Sequence, residues 1–481
     1  MPASVVVLVA DGVRPDTLGD ALDRGDLPSL ARLRDEGGLH TMTSVFPSVT
    51  GPAYAPFLMG RSPGPVGLPG LRWFDRAREV CTFPDYTRSY VGHQMRHVDA
   101  DLDPTAPTIF EIVPDSVAAL SVIFRGLPPE QRIGGGGFRE FGDAMRAVAT
   151  HFRGDVRRWL DVDREVCERA MRKIRQQRPR FVFVALTGVD KASHAQGHDG
   201  AIVMDALRIV DDMAATVRAD AEQRGAWDGM SLWVVSDHGH SSVREHEDLV
   251  RVVEQLGHRV VAHPWVFTIR PEVAVMVSGN AMAHVYVDLD RRIRPSWPAI
   301  APRWRAFADA LLQRDSVDLL LLPHDENRCE VRARGRGSAL VERSGERFSY
   351  HVLDGDPLGI GSDVSGVDAN GAYEATIATD YPDSIVQIAR LAGARRSGEL
   401  ILSAARGWDF RARYEPIPHA SSHGALHREH MLVPLLVNRP VPGNPRRTVD
   451  VMPSALVALG LPVPPGLEGE SFVARSASRE R

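Results

Sequence analysis

"SVVVLVAD", residues 4–11, is an unbroken run of β-branched and aliphatic residues that stops at Asp11. A strand with one wet face alternates polar and apolar side chains, whereas an unbroken run belongs to a strand buried on both faces, as in a parallel sheet covered by helices. Two later stretches have the same form. "RFVFVALTGVD" (180–190) runs into Asp190, and "MSLWVVSDHGH" (230–240) runs into Asp237 and His238. Parallel sheets bind ligands beyond the carboxyl ends of their strands, so three strands that each end in metal-type donors predict one shared site at that edge.

Helical spacing separates these runs. Residues 155–177 read as a helix capped by Asp155, and 201–225 as a second helix ending at Gly225. Alternating strands and helices predict an α/β fold with a mostly parallel central sheet flanked by helices. Residues 61–105 are rich in proline, glycine and aromatics, which suits the walls of a pocket, and 132–142, with four consecutive glycines, read as a loop. From about 290 to 395 the alternation becomes irregular and predicts a smaller α+β insertion placed as a cap. "GELILSA" (398–404) and "HMLVPLLV" (430–437) then read as strands returning to the core. The expected division is a catalytic core over 1–290, the cap over 291–395 and the C-terminal part of the core over 396–481.

Composition narrows the function. The 481 residues include 57 basic and 62 acidic side chains, a formal charge of −5, so no global positive field points to a nucleic-acid polymer or an anionic membrane. Cys81, Cys167 and Cys329 are too few and too scattered for a disulfide framework or a thiolate zinc site. Any metal therefore needs histidine and carboxylate. The first residues, "MPASVVVLVADG", carry no basic lead before strand-like sequence begins, and no later window has the apolar length of a spanning helix, so the expectation is a cytoplasmic protein.

Asp190 and His194 stand four residues apart, Asp237 and His238 are adjacent, and His423 follows in "SSHGALHREH". Oxygen and nitrogen donors of this kind suit zinc. One Asp/His pair at helical spacing is ordinarily a surface contact. Three clusters ending comparable strands, with Asp11 on a fourth element of the pattern, argue for a metal centre. His240, His246, His427 and His430 lie nearby and read as outer donors or surface residues. Lys191 either neutralises a phosphate or faces solvent. The stretch "FPSVTGPAYAPFLMG" (46–60) offers two hydroxyls, Ser48 and Thr50, and Thr50 precedes a helix in which Pro52 suits the first turn.

The order of these motifs resembles the alkaline phosphatase superfamily, within it the nucleotide pyrophosphatase/phosphodiesterase branch together with phosphonoacetate hydrolase. The resemblance covers about 4–290 and 372–470. It implies two zinc ions, one held by Asp190, His194 and His423, the other by Asp11, Asp237 and His238 with the oxygen of Thr50. It also implies that Thr50 is the nucleophile that attacks phosphorus. The expected activity is cleavage of a phosphodiester or pyrophosphate bond in a nucleotide-like or other small phosphate ester, through a phosphothreonine on Thr50. A phosphomonoesterase or phosphonate hydrolase with the same core is the alternative, and a non-catalytic metal- or phosphate-binding relative is a third. The sulfatase pattern is excluded, because it needs Cys or Ser followed by x-P-x-R and this chain has Thr50, Pro52 and Tyr54. The asparagine that helps bind phosphate in many relatives has no evident counterpart; Asn280 is the candidate for that role.

Overall fold

The computed structural model describes residues 3–134, 156–263, 268–411 and 418–474. The cap expected at Asp155 and most of the loop expected over 132–142 lie outside these residues.

The three apolar runs form β1 (Ser4–Ala10), β2 (Phe181–Leu186) and β3 (Met230–Val235), adjacent and parallel, with β1 in the middle. They are the centre of a seven-stranded sheet. Ser116–Ala119 and Arg132–Ile133 extend it in parallel on the β2 side, and Leu432–Val437 and Gly38–Thr43 extend it in antiparallel fashion beyond β3. The expected mostly parallel sheet is therefore present.

Why β1 has no polar position after Ser4 is visible in its two faces. Val5, Val7 and Val9 join one apolar core with Phe181, Phe183 and Ala185, while Val6, Leu8 and Ala10 join another with Val182, Val184 and Leu186. Helices Pro15–Asp23, Pro28–Glu36, Val156–Gln177 and Ala201–Gln223 cover the second face. Each of these valines is at most 1% exposed, and burial of such a side chain contributes roughly 1.5–3 kcal/mol. A charged substitution anywhere from Val5 to Val9 breaks one core or the other.

A second sheet of nine strands is mostly antiparallel. It runs in the spatial order 260–262, 273–278, 282–287, 400–404, 317–323, 328–333, 337–344, 347–355 and 364–367. Helix Trp297–Leu312 packs on one of its cores and helix Ser384–Ala392 on another. Leu432–Val437 returns to the first sheet as expected. Leu400–Ala404 does not: it pairs with Met282–Val285 and with Val317–Leu321 in the second sheet. Its five residues are all buried, so either sheet satisfies its apolar pattern, and the pairing partners decide.

Gly51 occupies the cap position, Pro52–Tyr54 form a 3-10 turn, and the α-helix is only Ala55–Met59. Pro52 does take the first turn, where its missing N–H costs no bond. Among the described residues no helix is long and apolar enough to cross a membrane.

Candidate metal centre

Parallel register brings the donors together. Ala10 pairs with Leu186 and Val9 with Val235, so the three central strands end level and hand Asp11, Asp190, Asp237 and His238 to one edge. Asp190 and His194 project from one face of helix Gly188–Gln196, which starts two residues after β2. His423 arrives on the chain after the short strand Ser421–Ser422, which pairs with Ser241–Ser242 just past His240. All these donors are buried except His194, which is partly exposed.

Two groups result. Asp11, Asp237 and His238 present ligand atoms that all lie within 4.8 Å of one another, and so do Asp190, His238, His240 and His423. His238 belongs to both. His194 adds its Nε2 at 3.2 Å from Asp190 Oδ1. The structure thus gathers every predicted donor, and it adds His240, whose Nε2 lies 3.0 Å from the same Asp190 oxygen. The sequence reading had left His240 among the outer residues. Its signal was its position two beyond His238 at a strand end. Gly12, with φ of 80°, makes room for it: a Cβ there would stand 2.8 Å from His240 Nε2.

The imidazoles are oriented for ligation. Nδ1 of His194 lies 2.9 Å from the Ser421 carbonyl, Nδ1 of His423 lies 3.0 Å from the Ser48 carbonyl, and Nδ1 of His238 lies 3.2 Å from the Gly239 carbonyl. A carbonyl only accepts, so each Nδ1 carries the proton and each Nε2 lone pair points into the cluster. Those lone pairs face carboxylate oxygens: His423 Nε2 is 3.4 Å from Asp190 Oδ1, and His238 Nε2 is 3.3 Å from Asp11 Oδ1. Positive charge between the two, a proton or a metal ion, relieves such an opposition. The donor set therefore fits divalent metal, and nitrogen with carboxylate oxygen suits zinc.

Electrostatics divide the donor set, keeping three rings neutral and favouring a proton on His238 and Asp237. Burial holds the His194 and His423 pKa values below the ordinary range, and it holds His240 down to about 3, so these rings stay neutral and able to ligate. Burial opposes a charge on His238 as well, but Asp237 and Asp11 outweigh it and hold its pKa up to about 9. Burial and the neighbouring Asp11 raise Asp237, and Asp237 Oδ2 has no hydrogen-bond partner among the described residues. Burial alone would raise Asp190; Lys191 and His194 outweigh it and hold its carboxylate well below the usual range.

The two hydroxyls separate cleanly. Thr50 Oγ1 sits 3.0 Å from Asp11 Oδ1 and 3.0 Å from His238 Nε2. Ser48 is fully buried and donates to the Ala425 carbonyl at 3.0 Å, away from the donors. Beside Thr50, a Cβ on Gly51 would lie 3.6 Å from Leu71 and from Val122, which form an aliphatic wall. Lys191 Nζ donates to Asp190 Oδ2 at 2.8 Å. Asn280 lies beside His423 through a parallel bridge, and its Nδ2 is 3.1 Å from Nδ1 of His419, whose ring packs on His194 at 4.2 Å. His246 pairs with Asp409, His427 with Glu429, and His430 with Ser241, so these three have partners outside the donor set. Tyr54, named above only against the sulfatase pattern, donates its phenol O–H to Asp11 Oδ2 at 3.2 Å.

Known structures share this arrangement of the chain. Phosphonoacetate hydrolase from Sinorhizobium meliloti 1021, in complex with phosphonoformate, superposes with a TM-score of 0.55 at 16% identity, over 95% of this chain and 96% of that one. Human ectonucleotide pyrophosphatase/phosphodiesterase 5 gives 0.58 at 13% identity, over 98% and 97%. The inactive murine counterpart in complex with AMP gives 0.53 at 13%, over 97% and 96%. At these identities the likeness is one of fold. No protein of curated function matches the sequence. Residues 5–426, most of the chain, match the type I phosphodiesterase/nucleotide pyrophosphatase family, and the chain belongs to it as a hydrolase of phosphoric esters.

Proposed function

We propose that the protein is a two-zinc phosphodiesterase or nucleotide pyrophosphatase in which Thr50 is the nucleophile. The observation that carries this reading is the hydroxyl of Thr50 at 3.0 Å from both Asp11 Oδ1 and His238 Nε2, inside a set of converging donors. Asp11, Asp237 and His238 would hold one ion together with Thr50, and Asp190, His194 and His423 the other. Bound zinc supplies a lowered oxygen pKa and a counter-charge for the oxygens of an in-line displacement.

The residues then have defined tasks. Asp11 accepts from the Thr50 hydroxyl and orients its oxygen toward phosphorus. Thr50 forms a new P–O bond as the bond to the leaving oxygen breaks, and that oxygen takes up the proton Thr50 releases. The phosphodiester left on Thr50, a nucleotidyl-threonine for a nucleotide ester, is hydrolysed by water, which releases the phosphate monoester and returns the hydroxyl. Lys191 offers a cation beside Asp190 for a non-bridging phosphate oxygen. Leu71 and Val122 offer apolar contact to the organic part of the ester. AMP bound to a protein of this fold, and phosphonoformate bound to another, support a small anionic phosphorus substrate here and keep a phosphonate hydrolase as the second reading.

Rates on a nitrophenyl phosphate monoester, a bis-nitrophenyl diester and a nucleotide-linked ester, together with metal content, test the assignment. The diester or nucleotide ester is expected to be the best substrate, and about two zinc ions per chain are expected. Mass spectrometry of acid-quenched enzyme is expected to find the phosphoryl group on the peptide containing Thr50. Full activity in Thr50→Ala with loss in Ser48→Ala would move the nucleophile, and a monoester preferred by far would replace the diesterase reading.

A further inference from the structure

Two buried polar groups bear on the donor set from outside: Tyr54 touches Asp11, and Asp163 holds the start of the helix that carries Asp190 and His194. Asp163 belongs to helix Val156–Gln177, yet its carboxylate accepts from the backbone N–H groups of Thr187 at 3.1 Å and Gly188 at 2.7 Å. These are the first amides of the helix that carries Asp190 and His194. That helix has no cap of its own, since Thr187 makes no side-chain cap bond. Gly188 leaves just enough room: a Cβ there would stand 2.6 Å from Asp163 Oδ2. Tyr54 is the counterpart on the other half. Its fully buried phenol donates to Asp11 Oδ2 at 3.2 Å, while Oδ1 faces His238 and is the nearer of the two oxygens to Thr50, at 3.0 Å against 3.3 Å, and its ring packs edge-on against Phe183 of the central sheet.

From this we infer that Asp163 and Tyr54 are positioning residues, each setting the geometry of one metal: Asp163 that of the Asp190/His194/His423 ion, Tyr54 that of the Asp11/Asp237/His238 ion. A carboxylate at a helix N-terminus satisfies amides that otherwise lack partners and fixes where the helix starts along its axis. A shift of that start moves Asp190 and His194 together, because both ride on the same helix. Asp163 is only 1% exposed, and burial holds its pKa up to about 7 against the lowering effect of the Gly188 and Thr187 amides. A hydrogen bond to the outer oxygen of a ligating carboxylate likewise fixes which oxygen ligates.

The inference rests on the reading of the donor set as a two-metal centre, and the experiment separates the two. Wild type, Asp163→Asn and Tyr54→Phe are dialysed against zinc buffered over a range of free concentration, and crystals grown at limiting zinc are examined by anomalous scattering for occupancy at each position. Asp163→Asn is expected to weaken zinc at the Asp190 position by about 10- to 100-fold and to leave the other within about threefold; Tyr54→Phe is expected to do the reverse. If Asp163→Asn does not fold, Gly188→Ala presses on the same contact and is expected to weaken the same ion. Equal weakening of both ions in either variant, or no change in either, overturns the inference. Wild type that binds no zinc overturns the metal-centre reading itself.

Discussion

The half of the donor set around Asp11 and the half around Asp190 share His238 and one sheet edge but differ in chemistry. The first has two carboxylates, one imidazole and the hydroxyl of Thr50. The second has one carboxylate, the imidazoles of His194 and His423, and Lys191 and His240 against Asp190. A dication that meets two carboxylates is neutralised, while one that meets a single carboxylate and neutral imidazoles keeps net positive charge. Under the proposed two-metal reading, the first half would suit the nucleophile that must be oriented, and the second a leaving oxygen that gains negative charge.

The sharpest way to break this comparison is Thr50→Ala. It is expected to lower kcat/KM on the order of 10³-fold or more while both metals stay bound, as rates and metal content together show. Next come Asp190→Asn and Asp237→Asn. Each is expected to cost about 100-fold in activity and to release a different ion, measured as zinc per chain; if either releases both, the halves are one unit. His240→Ala is expected to reduce zinc affinity at the Asp190 position about tenfold, the effect of an outer partner. Complete loss of that ion in a dialysis series would make His240 a ligand.

Smaller effects sharpen the charge difference. Lys191→Gln is expected to raise KM about tenfold with kcat held, the value of one charge-assisted hydrogen bond at roughly 1.4 kcal/mol. A fall in kcat at constant KM instead would place Lys191 on the transition state. The last effect is on stability. Because Asp163 is raised from 3.8 to about 7, the folded protein holds a proton that the unfolded chain releases between those values. Its contribution is fully present below about 3.8 and is lost as pH rises toward 7, with a slope of at most about 1.4 kcal/mol per pH unit. Denaturant midpoints of metal-free wild type are expected to fall with pH relative to Asp163→Asn across that window.

Legibility followed the same division. The carboxylate half was readable because Asp11 and Asp237 each end an apolar run, and a run buried on both faces has one place to put a charge. The imidazole half was readable in part. Asp190 and His194 declare themselves by helical spacing, and His423 by motif order. His240 was not separable from His246, His427 and His430 by type or spacing. Only pairing settles it, since His246, His427 and His430 have Asp409, Glu429 and Ser241 as partners, whereas His240 turns inward to Asp190. The strand at 400–404 was legible as a strand but not by its sheet, because a buried apolar run carries no label for its sheet.

The sequence by itself determined that a parallel sheet exists, which strands are central, and which residue types arrive at its edge, because two-sided burial imposes an unbroken apolar pattern and a sharp polar stop. Tertiary structure alone decided which of two hydroxyls faces the donors, where His240 points, and how Asp163 and Tyr54 reach the site from other elements. Those facts rest on contacts between residues tens to hundreds of positions apart, and local propensity and periodicity carry no record of distance in space.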